Sequence, residues 1–565
     1  MSSAFSFLGR HVAAGEHRRA GWIVLAALHL AAIAVLFWSE TDFVSRLAFV
    51  LAWALLNFFL LVVLCRPAPA AALSLTLIAI LILLSRFKHG VLLMTVNFLD
   101  LLIVDPDTFS FLLIIFPNLS WMIAAAVAVI VPLVVLLWSF DPLRLRLRTA
   151  LLGMTTCLAS LTALSLATPS DLYEEFSNNN YVSKFARSGV TGTLDLFTRG
   201  YLDSDAVASE RLSGAAGDSC HPPELPPHIV MVFDESSYDI SMVPGVDLPQ
   251  NYRQHFQSFD GKQRRLLVEG AGGPSWYTEY NVLTGLSARS YGRFADFVTR
   301  IAAGRVERGL PHALRGCGYK TFSLYPMWGS FAGARAFQQS AGVEHFLDAK
   351  DLGTRGIEPD AFYYDYAAKL IAQERGEQPL FLFVYTAANH FPWNFRFRPD
   401  LTPDWHQTRN SFEVDEYLRR QAMSARDYRA FINRLARDLP GERILVVRFG
   451  DHQPSFAKHL LDPKLDESVL ARRIAEADPR FLTTYYAIEG VNFRPVGTSA
   501  ALDVLDAPYL PIVAMEAAGL TLDASFAEQR RILRRCKGLF YRCAGGAEAR
   551  RFNRLLIDAG LIKNL

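Results

Sequence analysis

Four side chains, widely separated along the chain, offer a chemistry that makes sense only if folding brings them together: Glu235, Ser275, Asp451 and His452. Glu235 closes the run Ile229-Val230-Met231-Val232-Phe233-Asp234, whose apolar, β-branched start reads as a strand buried on both faces. In open α/β sheets the ligand site lies beyond the carboxyl ends of the strands. An acid there is placed to hold a metal, and a strand ending in a solvated acidic turn is the plain alternative. Ser275 sits in the glycine-rich turn Gly270-Ala271-Gly272-Gly273-Pro274, just before a helix-like stretch. A hydroxyl there meets free backbone N–H groups and a helix dipole that favour a bound anion, although an N-cap serine would look the same. Asp451 and His452 follow the strand Ile444–Phe449, with Gly450 giving the backbone room. Both can turn toward one cation, while an Asp-His pair in a surface turn would read alike.

Glu, Asp and His together suit one borderline divalent ion, manganese or zinc, with magnesium also admissible. Held by Glu235, Asp451 and His452, it would lower the pKa of the Ser275 hydroxyl and make it a nucleophile. The metal and the helix N-terminus would then stabilise charge building on a phosphoryl group.

The elements that must position these groups follow a regular order. Strand patterns recur at Arg264–Val268, Thr321–Leu324, Leu380–Thr386, Ile444–Phe449 and Leu482–Ile488. Helical patterns lie at Tyr280–Leu286, Ile301–Gly316, Phe362–Arg375, Val414–Leu439 and Ser468–Ala477. Strands alternating with helices predict an α/β domain over 226–565, with a mainly parallel sheet covered by helices on both faces. Residues 169–225, with Asn178-Asn179-Asn180, Gly214 and Gly217, read as a linker with a short helix near Tyr181–Arg187.

Residues 1–168 are different in kind. Gly21–Trp38, Val44–Cys65, Ala71–Leu84, Trp121–Trp138 and Ala150–Ala167 are apolar enough to be membrane-spanning helices. The third is short unless it continues through Arg86. The stretch 91–117 carries Asn97, Asp100, Asp105 and Asp107 and reads as interfacial or re-entrant. This half either anchors the chain or helps to present a lipid. Arg10, Arg18, Arg19, Arg66, Arg144, Arg146 and Arg148 fall in alternate loops, opposite Glu40-Thr41-Asp42, with Lys88 the exception. The positive-inside rule then puts the N-terminus in the cytoplasm and everything from Thr168 onward outside. The leader lacks a small-residue cleavage pattern and reads as a first span rather than a removable signal. Localisation is expected to be a bacterial inner (plasma) membrane, with the soluble half periplasmic or extracellular.

Charge and cysteines narrow the classes. A net charge of +2 argues neither for nor against nucleic acid, and the lack of a basic tract interleaved with aromatics sets nucleic acid aside. Of six cysteines, Cys65 and Cys157 lie in apolar runs, while none of the other four has CxxC spacing. Outside the cytoplasm disulfides are permitted, and Cys536–Cys543 is the first pairing expected, Cys220–Cys317 the second.

The order strand-Glu-Ser, then Gly-x-Ser-x-x-x-Glu, then Gly-Asp-His resembles the alkaline phosphatase superfamily. Within it, the layout is similar to the membrane-anchored phosphoglycerol and phosphoethanolamine transferases, of lipoteichoic acid synthase type. The resemblance implies one divalent metal ion on Glu235, Asp451, His452 and the nucleophile, which falls on Ser275 where that family usually has threonine. It implies a substrate-binding histidine at His390 in Asn389-His390-Phe391-Pro392, with a structural strand cap as the alternative. By a looser alignment it implies a headgroup pocket using Trp328 and Arg335, where Trp328 may equally be read as core. Tyr277 and Glu279 stand where a formylglycine sulfatase needs Pro and Arg. The implied activity is transfer of a phospho-headgroup, phosphoglycerol ahead of phosphoethanolamine, from a membrane phospholipid to a glycan or lipid hydroxyl through a covalent Ser275 intermediate. Two rivals stand beside it: a phosphodiester or phosphomonoester hydrolase on the same site, and a catalytically silent membrane scaffold.

Overall fold

The structure, a computed structural model, describes residues 2–102, 106–116, 118–205, 210–212, 220, 222–376, 378–563 and 565. It divides into two compact units, residues 1–198 with 466–475, and residues 199–465 with 476–565.

Five helices of the first unit are long and apolar enough to cross a membrane: Arg18–Ser39, Phe43–Leu64, Pro67–Leu92, Leu119–Phe140 and Leu147–Ala167. The third is longer than its apolar run, because Arg86, Lys88 and His89 continue the helix to Leu92. Among the described residues, the helices between the third and fourth are the short Phe98–Leu102 and Pro106–Ile115. At 1.5 Å per residue, neither is long enough to span a bilayer. Asp100 pairs with Lys88 at 2.9 Å. Asp105 and the side chain of Asp107 lie outside the described residues.

Where the sequence suggests a linker, the unit contains an 18-residue helix, Tyr181–Thr198. Buried Glu40 holds its start, accepting hydrogen bonds from Val182 N at 3.1 Å and Ser183 Oγ at 2.6 Å. Lys184 reaches back to the carbonyl of Glu174 at 3.0 Å. The Glu40 contacts join residues more than 140 apart in sequence, so local composition does not announce them.

The second unit is built on an eight-stranded sheet: β1 His228–Asp234, β2 Arg264–Leu267, β3 Lys320–Leu324, β4 His345–Leu347, β5 Leu380–Tyr385, β6 Ile444–Gly450, β7 Thr483–Val491 and β8 Val504–Asp506. Their spatial order is β4-β3-β5-β1-β6-β7-β2-β8. All pairings are parallel except those of β7 with β6 and with β2. β4 and β8, three residues each, are too short to show a periodic pattern. The expected helix Ile301–Gly316 is two helices, Val298–Ala302 and Leu310–Gly316, broken where Gly304 adopts φ +71° and Pro311 starts the second.

β1 lies between β5 and β6 and is buried along its whole length. Val230, Val232, Leu382, Val384 and Val446 form one core with Tyr363, Tyr364, Ala367, Phe431 and Leu435 from the helices Asp360–Glu374 and Phe412–Asp438. Burying a side chain of this size contributes roughly 1.5–3 kcal/mol, so slippage of any central strand would be costly. The resulting register sets Phe233 beside both Tyr385 and Phe449, and Asp234 beside Gly450. The three strands therefore stop level with one another. Glu235, Thr386 and Asp451 emerge at one edge for that reason.

Candidate active site

At that edge the ligand atoms of Glu235, Asp451 and His452 lie within 4.8 Å of one another, and all three residues are buried. Gly450 makes the approach possible: a Cβ there would stand 1.7 Å from the carbonyl oxygen of Ser237. The carbonyls that follow are pinned, Gly450 O by Thr484 Oγ1 at 2.8 Å and Asp451 O by Thr278 Oγ1 at 2.7 Å.

Ser275 is not the N-cap of its helix. The helix runs Ser275–Thr284, its cap position is Pro274, and Ser275 makes no capping hydrogen bond. Its hydroxyl lies 3.2 Å from Glu235 Oε2 and 3.3 Å from His452 Nε2, so the four residues form one group.

The donor set fits a divalent cation. His452 Nδ1 faces the carbonyl of Gln453 at 3.0 Å. A proton on that nitrogen leaves the Nε2 lone pair directed at Glu235 and Asp451, as a metal-ligating histidine requires. Asp451 Oδ1 accepts the N–H groups of Ser236 at 2.7 Å and His452 at 2.8 Å. Its buried Oδ2 has no hydrogen-bond partner among the described residues, an arrangement costly for an acceptor unless something else engages it. Burial pushes the Asp451 carboxyl up to about 7. Burial and then the Asp451 charge raise Glu235, and burial lowers His452.

His390 stands on the loop after β5, stacked on Phe391 with ring centroids 4.5 Å apart. Its Nδ1 lies 2.7 Å from the Phe391 carbonyl. Burial lowers its pKa, against the pull of the Glu235 charge. Two residues that sequence reading did not single out hold this loop. Asp360 accepts the N–H groups of Ala387 at 3.2 Å and Ala388 at 3.1 Å. Arg420, fully buried, donates to the carbonyls of His390 at 2.7 Å, Pro392 at 3.0 Å and Phe395 at 3.2 Å. Neither lies near His390 in sequence, and a helical Asp or Arg gives no local signal of a distant loop.

Trp328 and Arg335 are placed differently. Trp328 is half-buried in the turn after β3. Arg335 is engaged by Asp348 at 2.7 Å, Asp351 at 3.2 Å and the Phe346 carbonyl at 3.0 Å, with its guanidinium over the Phe346 ring. None of these contacts joins either residue to the Glu235 group. The disulfides are Cys220–Cys317 and Cys536–Cys543.

Residues 270–470 match the sulfatase family. The matched segment holds Ser275, His390, Asp451 and His452, and it supports the superfamily that the motifs resemble. No curated protein matches the chain. Among solved structures the chain is similar to the phosphoglycerol transferase GacH of Streptococcus pyogenes, at 14% identity over 62% of this chain and 87% of that one, with a TM-score of 0.45. It is similar to the lipooligosaccharide phosphoethanolamine transferase EptA of Neisseria meningitidis at 13% identity, over 84% and 95% of the two chains, with a TM-score of 0.43. For the lipoteichoic acid synthase LtaP of Listeria monocytogenes the values are 15%, 53%, 73% and 0.40.

Proposed function

We propose that the chain is a metal-dependent phosphotransferase that moves a phospho-headgroup from a membrane phospholipid to a glycan or lipid hydroxyl. The observation that carries this reading is the Ser275 hydroxyl, uncommitted to capping and set against Glu235 and His452 at a helix N-terminus. Glu235, Asp451 and His452 would hold one manganese or zinc ion, which supplies a lowered hydroxyl pKa and a countercharge for the phosphoryl oxygens. Ser275 Oγ forms the new bond to phosphorus, and the bond from phosphorus to the diacylglycerol oxygen breaks. The proton lost by Ser275 ends on that departing oxygen. The acceptor hydroxyl then attacks the serine-bound phosphorus and regenerates Ser275. Backbone N–H groups at the start of Ser275–Thr284 face the transferring group. With Nδ1–H given to Phe391 O, the neutral His390 keeps its Nε2 lone pair for the acceptor hydroxyl proton. We assign the soluble unit to the outside of a bacterial plasma membrane, phosphoglycerol ahead of phosphoethanolamine as the headgroup, and Trp328 and Arg335 to headgroup binding.

The test is intact-mass and peptide analysis of the full chain incubated with mixed bacterial phospholipids and manganese or zinc. An adduct on the Ser275 peptide is expected, and its mass names the headgroup. Headgroup released to water without an adduct would replace transfer by hydrolysis. Neither adduct nor turnover with either metal would leave the silent scaffold.

A further inference from the structure

Between Glu235 and the rest of the site stands one residue whose polar atoms are all engaged. Ser236 is fully buried, and its backbone lies in the left-handed region at φ +50°. That region disfavours side chains with a Cβ, at a cost of about 1–3 kcal/mol when it persists at a site. Its Oγ donates to Glu235 Oε1 at 2.8 Å. Its N–H donates to Asp451 Oδ1 at 2.7 Å. Its carbonyl accepts from Tyr417 Oη at 3.1 Å and from Asn389 Nδ2 at 3.4 Å. One strained residue thus touches both carboxylates of the group and the loop bearing His390.

We propose that Ser236 is a positioning residue: its hydroxyl fixes the rotation of the Glu235 carboxylate, so that Oε1 lies 3.6 Å from His452 Nε2 and Oε2 faces Ser275. This inference rests on the metal reading above. The geometry separates two roles within one side chain. The left-handed turn swings the backbone N–H onto Asp451, a job that glycine performs with less strain. The hydroxyl alone restrains Glu235, and glycine cannot replace it. A serine stands at a position whose backbone would prefer glycine, and among the described residues the one hydrogen bond its side chain makes in exchange is to Glu235.

Ser236→Gly divides these roles. With the full chain in detergent and Mn²⁺ alone as probe, free ion is counted by electron paramagnetic resonance. Thermal stability is followed alongside. The variant is expected to keep or raise Tm while its Mn²⁺ affinity falls about 10- to 100-fold, the usual loss when a residue orienting a ligand is removed. Ser236→Ala, which retains Cβ and φ, is expected to lose the same affinity and serves if the glycine variant does not fold. Mn²⁺ affinity within about twofold of wild type in either folded variant overturns the proposal while leaving the metal reading intact. Wild-type protein that binds no Mn²⁺ overturns both, and Asp451→Asn marks the level of no binding.

Discussion

Asp234 and Glu235 are neighbours at the end of β1, both buried, yet their surroundings are opposite in kind. Asp234 Oδ2 accepts from Tyr485 and lies 3.6 Å from His255 Nε2 and 3.7 Å from the Arg448 guanidinium. Arg448 is itself buried, stacked over Tyr428 at 4.1 Å and bonded to His255. Burial alone would raise Asp234, but the hydrogen bond and charge of His255 and the Arg448 charge outweigh it and hold the carboxyl low. Glu235 faces Asp451 instead, and burial and that like charge push it up. The first group is internally balanced and needs no ligand. The second gathers two carboxylates and an imidazole lone pair on one point, which a fold tolerates where a cation shares the site. The proposed site is the place where buried charge is left unbalanced.

The comparison breaks or holds first on Ser275. Ser275→Ala is expected to lower headgroup turnover by on the order of 10³-fold or more, with Tm unchanged, because the hydroxyl contributes to chemistry and not to capping. Phosphotransfer that survives in the variant would remove Ser275 as nucleophile.

Next come variants on either side of the divide. Asp451→Asn is expected to abolish Mn²⁺ binding while Tm holds or rises, since it relieves the repulsion on Glu235. Arg448→Met should do the reverse, costing about 3–5 kcal/mol by leaving Asp234 buried without its cation. Urea unfolding read beside Mn²⁺ titration decides the matter: a large stability loss in the first variant, or none in the second, would erase the distinction. The double change Asp234→Asn with Arg448→Met sharpens it further. Removing both partners should recover part of the single-variant loss, a coupling of about 1–3 kcal/mol in a double-mutant cycle. Strict additivity would mean that the pair is not the unit it looks to be.

Much of this was legible in the sequence for a definite reason. Glu235, Asp451 and His452 each directly follow, or come within two residues of, a long apolar strand, and the strand ends of an α/β sheet are where such groups can meet. The five apolar helices announce themselves by composition alone. What escaped is what depends on distant or very short elements. β4 and β8 have three residues each, too few for a pattern. Arg420 and Asp360 act on the His390 loop from helices elsewhere in the chain. The balanced network around Asp234 was invisible because Arg448 sits within a strand that otherwise reads as apolar, and nothing local says what will face it. Ser275 illustrates the limit from the other side: the sequence allowed a cap or a nucleophile, and one residue of offset, with Pro274 taking the cap position, separates them.

The smallest effect concerns a carboxyl that belongs to neither group. Glu279, one helical turn beyond Ser275, is buried and accepts hydrogen bonds from Tyr385 Oη at 2.6 Å and Gln338 Nε2 at 2.8 Å. Burial pushes it up to about 7, against those hydrogen bonds. A folded-state pKa above the unfolded value means that the native state holds an extra proton between about 4.3 and 7. Its contribution is therefore fully present below about pH 4 and is lost as pH rises through 7, by at most about 4 kcal/mol. Glu279→Gln keeps the shape and removes the titration, so the fall in Tm between pH 5.5 and 8 should be shallower in the variant than in wild type, by roughly a few degrees. Asp234 predicts no slope in this window, because a carboxyl held low loses its contribution only as pH falls through its folded value, below the ordinary range. An unaltered slope in Glu279→Gln would assign the pH dependence to the other buried carboxyls pushed up to about 7, Asp360, Asp451 and Asp506, and flattening by added Mn²⁺ would single out Asp451 among them.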